Sequence, residues 1–80
     1  MEPSTMSLSD CVTMVLDRYF NDLCGEEPSN LHNLIIAEVE RALLAHTLQH
    51  CEGQRGVAAQ WLGINRNTLR KKLQHYGLDI

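Results

Sequence analysis

No stretch of this chain stays apolar for anything near the ~18 residues that a membrane span needs. Its first six residues, Met1 to Met6, lack the basic and apolar segments of a secretory leader. Neither a membrane protein nor a secreted one is therefore expected. The cysteines, Cys11, Cys24 and Cys51, are odd in number and lack paired spacing. That excludes a disulfide framework and reads as reduced, partly buried thiols in a cytoplasmic protein. No internal repeat or low-complexity tract is visible, and the helical patterning leaves no room for a β-sheet. His46 and His50 stand four apart with Cys51 beside them, half of a zinc site by spacing. A second ligand pair is missing from the sequence, so these read as helix-end histidines, with no metal and no cofactor. Cys51 has no obvious base, and no other grouping suggests a nucleophile, so neither an enzyme nor a small-molecule substrate is expected.

What the chain does have is 80 residues with a formal net charge of −3, unevenly spread. Residues 1–52 carry two cations, Arg18 and Arg41, against nine carboxylates, whereas residues 53–80 carry five cations against Asp79 alone. Such asymmetry suits a surface facing phosphates on an acidic body. A domain this small seldom draws more than about 3–5 kcal/mol from one core, so association with another copy is a natural supplement.

Residues 1–6 are expected to be disordered, since nothing there can be buried. Ser7 with Asp10 three residues on forms a capping box for a first helix carrying Leu8, Val12, Val15, Leu16, Tyr19, Phe20 and Leu23 at helical spacing. Gly25 suits the residue after that helix, and Glu26-Glu27-Pro28 makes a stiff, polar connection. Ser29 or Asn30 would cap a second helix running to about His50. Its apolar residues, from Leu31 through Leu34, Ile35, Val39 and Leu43 to Leu48, wrap much of its circumference and call for burial on several sides. Residues 7–51 thus read as two dimerisation helices, which in a symmetric homodimer would form a four-helix core. Asp10, Asp17, Glu38 and Glu40 read as solvated charges, and Trp61 as a core residue packed where the C-terminal unit meets the second helix.

Residues 52–80 read as a helix-turn-helix. A helix over Arg55–Leu62 carries Ala58 and Ala59, small enough for another backbone to come close. Gly63 supplies the positive φ of a tight turn, Ile64 plugs it, and Asn65 is placed as an N-cap. A second helix over Arg66–Tyr76 has Leu69, Leu73 and Tyr76 on one face and Arg66, Thr68, Arg70, Lys71 and Lys72 on the others. This is the pattern of a recognition helix entering a major groove of double-stranded DNA. Arg66 and Thr68 in its first turn would reach base edges, Arg66 through a bidentate fork to guanine. Arg70, Lys71 and Lys72 would hold phosphates, and Asn65 would serve as cap, contact or both. Gln54 and Arg55, opening the first helix of the motif, complete the candidate set.

The run GINRNTLRKKL, its spacing from Gly53-Gln54, and the closing YGL resemble the Fis (factor for inversion stimulation) family. RYF, NDL and IIAEVERALL follow the same order upstream, so the resemblance covers roughly nine-tenths of the chain. The eleven-residue run also resembles the C-terminal domain of enhancer-binding activators of the nitrogen-regulation type. The Fis resemblance implies an all-α, intertwined homodimer with four helices per subunit, acting in the bacterial nucleoid as a DNA-bending or transcriptional regulator. It implies DNA contacts at Asn65, Arg66, Thr68, Arg70 and Lys71. It also implies two recognition helices closer together than one turn of straight B-DNA, so that the duplex must bend and its central base pairs contribute selectivity. A site-specific regulator of the enhancer-binding kind, or a helical interaction module that does not bind DNA, are the alternatives. The chain departs from the family at Glu52, Gln54 and Gly56, where polar or basic phosphate contacts are usual, and at Gln74 and His75, where Fis is commonly basic. DNA binding is therefore expected to be weaker or more salt-sensitive than the family norm. Only about seven residues precede the first helix, so recombinase activation through an N-terminal β-hairpin arm, as in Fis, is not expected.

Overall fold

The computed structural model describes residues 6–78; residues 1–5, on which the expected N-terminal disorder mainly rests, and residues 79–80 lie outside that range. Among the described residues there are four helices and no strand: α1 (Leu8–Asp22), α2 (Leu31–His50), α3 (Arg55–Leu62) and α4 (Arg66–His75). The chain divides into two units, one ending at Leu31 and one beginning at His32.

The first unit is essentially α1. Its start is set by the capping box: the Ser7 side chain accepts from the Asp10 backbone N–H at 3.1 Å, and the Asp10 carboxylate accepts from the Ser7 N–H at 3.2 Å. Two of the orphan donors of the first turn are thereby satisfied. The helix closes at Leu23, after which both Cys24 (φ 54°) and Gly25 (φ 91°) turn left-handed. No residue of α1 is buried: Cys11, Val12, Leu16 and Tyr19 are half-covered, and Leu8, Val15 and Phe20 are exposed. Cys24 is also exposed, which corrects the expectation of three partly buried thiols.

In the second unit the core consists of Leu44 and Cys51, Ala58 and Ala59 of α3, and Leu69 and Leu73 of α4. Leu48, Val57, Leu62, Ile64, Tyr76 and Leu78 close around it. Each helix here stops in a similar way, with an N–H just beyond the end reaching back five residues: Gly53 to the Leu48 carbonyl, Ile64 to Ala59, and Leu78 to Leu73. This back-bonding satisfies carbonyls the helix leaves open. It needs a left-handed residue at each stop, supplied by Gly63 (φ 74°), Gly77 (φ 70°) and, unusually, Glu52 (φ 55°). Asn30, ahead of α2, is also left-handed (φ 57°).

The α2 helix presents two apolar faces. Glu40, Leu44, Leu48 and Cys51 follow i, i+4, i+8, i+11 and share the side turned to α3 and α4. Ile36, Val39 and Leu43 centre roughly 100° around the helix and are 47%, 36% and 51% exposed. Leu34 is exposed as well.

Trp61 departs from its expected place. It is 64% exposed, not core. Ala58, Ala59 and Leu62 define the inward face of α3, and Trp61 stands roughly 100° away from it at 3.6 residues per turn. With two alanines at the contact, the helices close to a spacing that leaves an indole no room inside.

Candidate nucleic-acid interface

The interface is built on the α3–turn–α4 segment. Ala58 and Ala59 let α3 approach α4, and Gly63 reverses the chain in the left-handed conformation, with its N–H donating to the Ala59 and Gln60 carbonyls. A Cβ at Gly63 would meet nothing within 4 Å, so it is the positive φ and not space that asks for glycine. Asn65 then caps α4: its Oδ1 accepts from the Asn67 backbone N–H at 2.7 Å. Asn65 therefore fixes the start of α4, and with it the direction of the first-turn side chains.

With Leu69 and Leu73 buried, the rest of α4 is oriented by rotation about its axis. Lys71 and Asn67 point directly away from the core, with Thr68 and Arg70 on the flanks, and all four are exposed. Asn67 is a candidate that the sequence reading passed over, although the phase set by Leu69 and Leu73 could have found it. An asparagine amide at such a position matches adenine N6 and N7. Arg66 is exposed but does not project freely. Its guanidinium lies against α3 at Gly56, 3.8 Å from where a Cβ would stand. Gly56, a departure by the family pattern, is the residue against which this arginine rests, at a distance where a Cβ would make ordinary van der Waals contact. Gln54 is the N-cap residue of α3 with no side-chain cap bond, and Arg55 is half-buried at the helix start.

Lys72 is placed differently from the other cations. Its Nζ lies 2.9 Å from Glu40 Oε2 on α2, and Tyr76 Oη donates to Glu40 Oε1 at 2.6 Å. Glu40 is half-buried, and both carboxylate oxygens are engaged, contrary to the expectation of a solvated charge. The Tyr76 hydrogen bond and then the Lys72 interaction hold its carboxyl below the ordinary carboxylate range, with partial burial opposing them. The same hydrogen bond pushes the Tyr76 phenol up. Sequence could not have shown this cluster, because Glu40 and Tyr76 are 36 positions apart and meet only through packing.

His46 and His50 stack edge to face on α2, ring centres 4.9 Å apart. No cluster of three or more metal-ligating side chains occurs among the described residues, and no helix there is long and apolar enough to cross a membrane.

Residues 35–76 match the profile described as "Bacterial regulatory protein, Fis family". That span runs from the first turns of α2 to Tyr76 and includes Glu40, the turn and all of α4. A Fis-like DNA-binding protein of Ralstonia nicotianae is 47% identical over 68 residues, covering 85% of this chain and 88% of that one. Another, from Neisseria meningitidis, is 42% identical over 77 residues, 95% of this chain and 98% of its own length. The DNA-binding protein Fis of Proteus mirabilis is 46% identical over 72 residues, 90% of this chain and 74% of that protein. With a helix-turn-helix of this geometry and a profile match over more than half its length, the chain belongs to the Fis family of bacterial regulatory proteins.

Proposed function

We propose that this protein is a DNA-binding regulator that grips double-stranded DNA as a homodimer, each subunit setting the first turn of α4 in a major groove. The observation that carries the reading is the Asn65-capped start of α4, which turns Asn67, Thr68 and Lys71 outward while Arg66 waits beside Gly56. Arg66 and Asn67 read base edges, and Arg70 and Lys71 take phosphates. Relatives named as DNA-binding support the same reading. Homodimerisation is supported by the second apolar face of α2 (Ile36, Val39, Leu43) and by an α1 that buries nothing in one subunit. We place the protein in the bacterial cytoplasm, on the nucleoid, bending its sites and acting without catalysis or cofactor.

The test is fluorescence anisotropy with a labelled duplex of ~27 base pairs at several salt concentrations. Phosphate neutralisation by two subunits gives a log–log slope of roughly −5 to −9. Failure to bind even at low salt would sink this reading in favour of a helical interaction module.

A further inference from the structure

Seven cations serve the whole chain, and five of them stand in its last 28 residues. On α4 one of these is withdrawn from the outer surface. Lys72 reaches to α2, where its ammonium is 2.9 Å from Glu40, and the other oxygen of that carboxylate takes the Tyr76 hydroxyl at 2.6 Å. Both α4 partners come from the helix's last turn and its cap. Of the residues that follow Lys72 on α4, none is a lysine or arginine. Beyond Lys71 the one Lys or Arg of α4 is therefore tied to a carboxylate, whereas Arg66, Arg70 and Lys71 ahead of it keep exposed side chains.

We propose that Glu40 is a positioning residue that withholds Lys72 from DNA: it ties the C-terminal end of the recognition helix to α2 and removes one phosphate contact per subunit. This rests on the DNA-binding reading above and sharpens it. Lys72 becomes a tether between helices, and the phosphate grip narrows to the part of α4 that also carries the base-reading residues. A protein built this way gives up general affinity for the duplex and draws a larger share of its binding from the first turn. It also holds α4 at both ends, by the Asn65 cap at the start and by Glu40 at the finish, so that Arg66 and Asn67 are presented at a fixed angle. A surface ion pair alone would be a weak tether. Here the carboxylate is half-buried and bound on both oxygens, one bond coming from a tyrosine that packs on the core.

Three full-length proteins decide the matter: wild type, Glu40→Gln, and the double variant Glu40→Gln with Lys72→Gln, whose net charge equals that of the wild type. Each is titrated with a labelled ~27-base-pair duplex across salt concentrations. Each phosphate newly neutralised steepens the log–log slope by about 0.9. Glu40→Gln frees two lysines per dimer, so its slope should be steeper than wild type by about two, with tighter binding to unrelated sequence. The double variant should return to the wild-type slope. A double variant shallower than wild type by about two would show that Lys72 already holds a phosphate, and the inference would fall. An unchanged slope in Glu40→Gln would overturn it equally. Where a variant does not fold, as judged by circular dichroism, the wild type itself decides through the Lys72 ammonium resonance in nitrogen-15 NMR. That resonance should keep its Glu40-bound position when duplex is added, and its displacement would refute the tether. If the wild type shows no DNA affinity at all, the DNA-binding reading fails first and takes this inference with it, a result distinct from wild-type binding with a shallower double variant.

Discussion

The two units of this chain use similar raw material and reach different ends. The segment up to Leu31 has a well-capped helix with leucines, valines, a tyrosine and a phenylalanine at helical spacing, yet none of its helical residues is buried. The segment from His32 onward encloses six residues, three of them leucines at 2% exposure or less. The difference lies in partners rather than in hydrophobicity. In the second unit, Ala58 and Ala59 admit a close neighbour and Gly63 brings that neighbour back within a few residues. A lone helix in the first unit has no such return. Helices of that length are marginal in water on their own, and the second copy we propose would cover α1.

The largest expected effect tests that cover. Phe20→Asp places a charge on a side chain that is 42% exposed in one chain. If α1 faced water this would cost almost nothing. Within a shared dimer core it should abolish most helicity, because fold and interface are then one cooperative unit. Circular dichroism together with sedimentation velocity reads the result, and a well-folded monomeric variant would end the dimer proposal.

Leu73→Ala and Leu8→Ala sharpen the contrast from the other side. Leu73 is fully enclosed and Leu8 is 68% exposed. Urea denaturation should show a loss of ~2–5 kcal/mol for Leu73→Ala, enough to leave a small domain largely unfolded. The Leu8 change should stay well under that.

At the interface, Arg66→Ala should weaken binding to a preferred site by ~1–3 kcal/mol and flatten the preference among bases. Lys71→Ala should weaken all duplexes alike. Competition binding with matched and scrambled duplexes separates the two. An Arg66 variant of unchanged affinity would mean that α4 enters the groove in another orientation.

The smallest effect is a pH dependence. The Glu40 carboxyl is held below its ordinary value by Tyr76 first and Lys72 next. A group whose folded pKa is depressed stabilises the fold above its unfolded pKa and loses that contribution as pH falls through the folded one. Thermal stability should therefore decline as pH drops below the ordinary glutamate range of about 4.3, and Glu40→Gln should remove that part of the decline. Identical acid profiles for the two proteins would show that the carboxylate is not held as described.

What could be read from the sequence was what depends on neighbours a few residues apart. Ser7 with Asp10, the glycine at 63 and the cap at Asn65 act within one turn, and each stands where its chemistry requires. The phase of Leu69 and Leu73 was equally local. Trp61 and Glu40 depart from the sequence expectation for a common reason, and the Lys72 ion pair is hidden from sequence by the same one: their surroundings are assembled by packing between helices. An indole is excluded by alanines on the adjoining face, and a carboxylate that looks solvated on a helical wheel finds a tyrosine 36 positions away. Arg66 leaning on Gly56 belongs to the same class.

Trp61 is the chain's one tryptophan, and it looks outward. The protein's brightest natural reporter is therefore tuned to solvent and to whatever settles on α3, and is nearly blind to the core. Its emission in the folded state should already resemble that of free indole in water. A melting curve followed by this signal would look almost flat while helicity collapsed, whereas a partner touching α3 would change it at once. An observer relying on tryptophan fluorescence would learn much about company and little about folding.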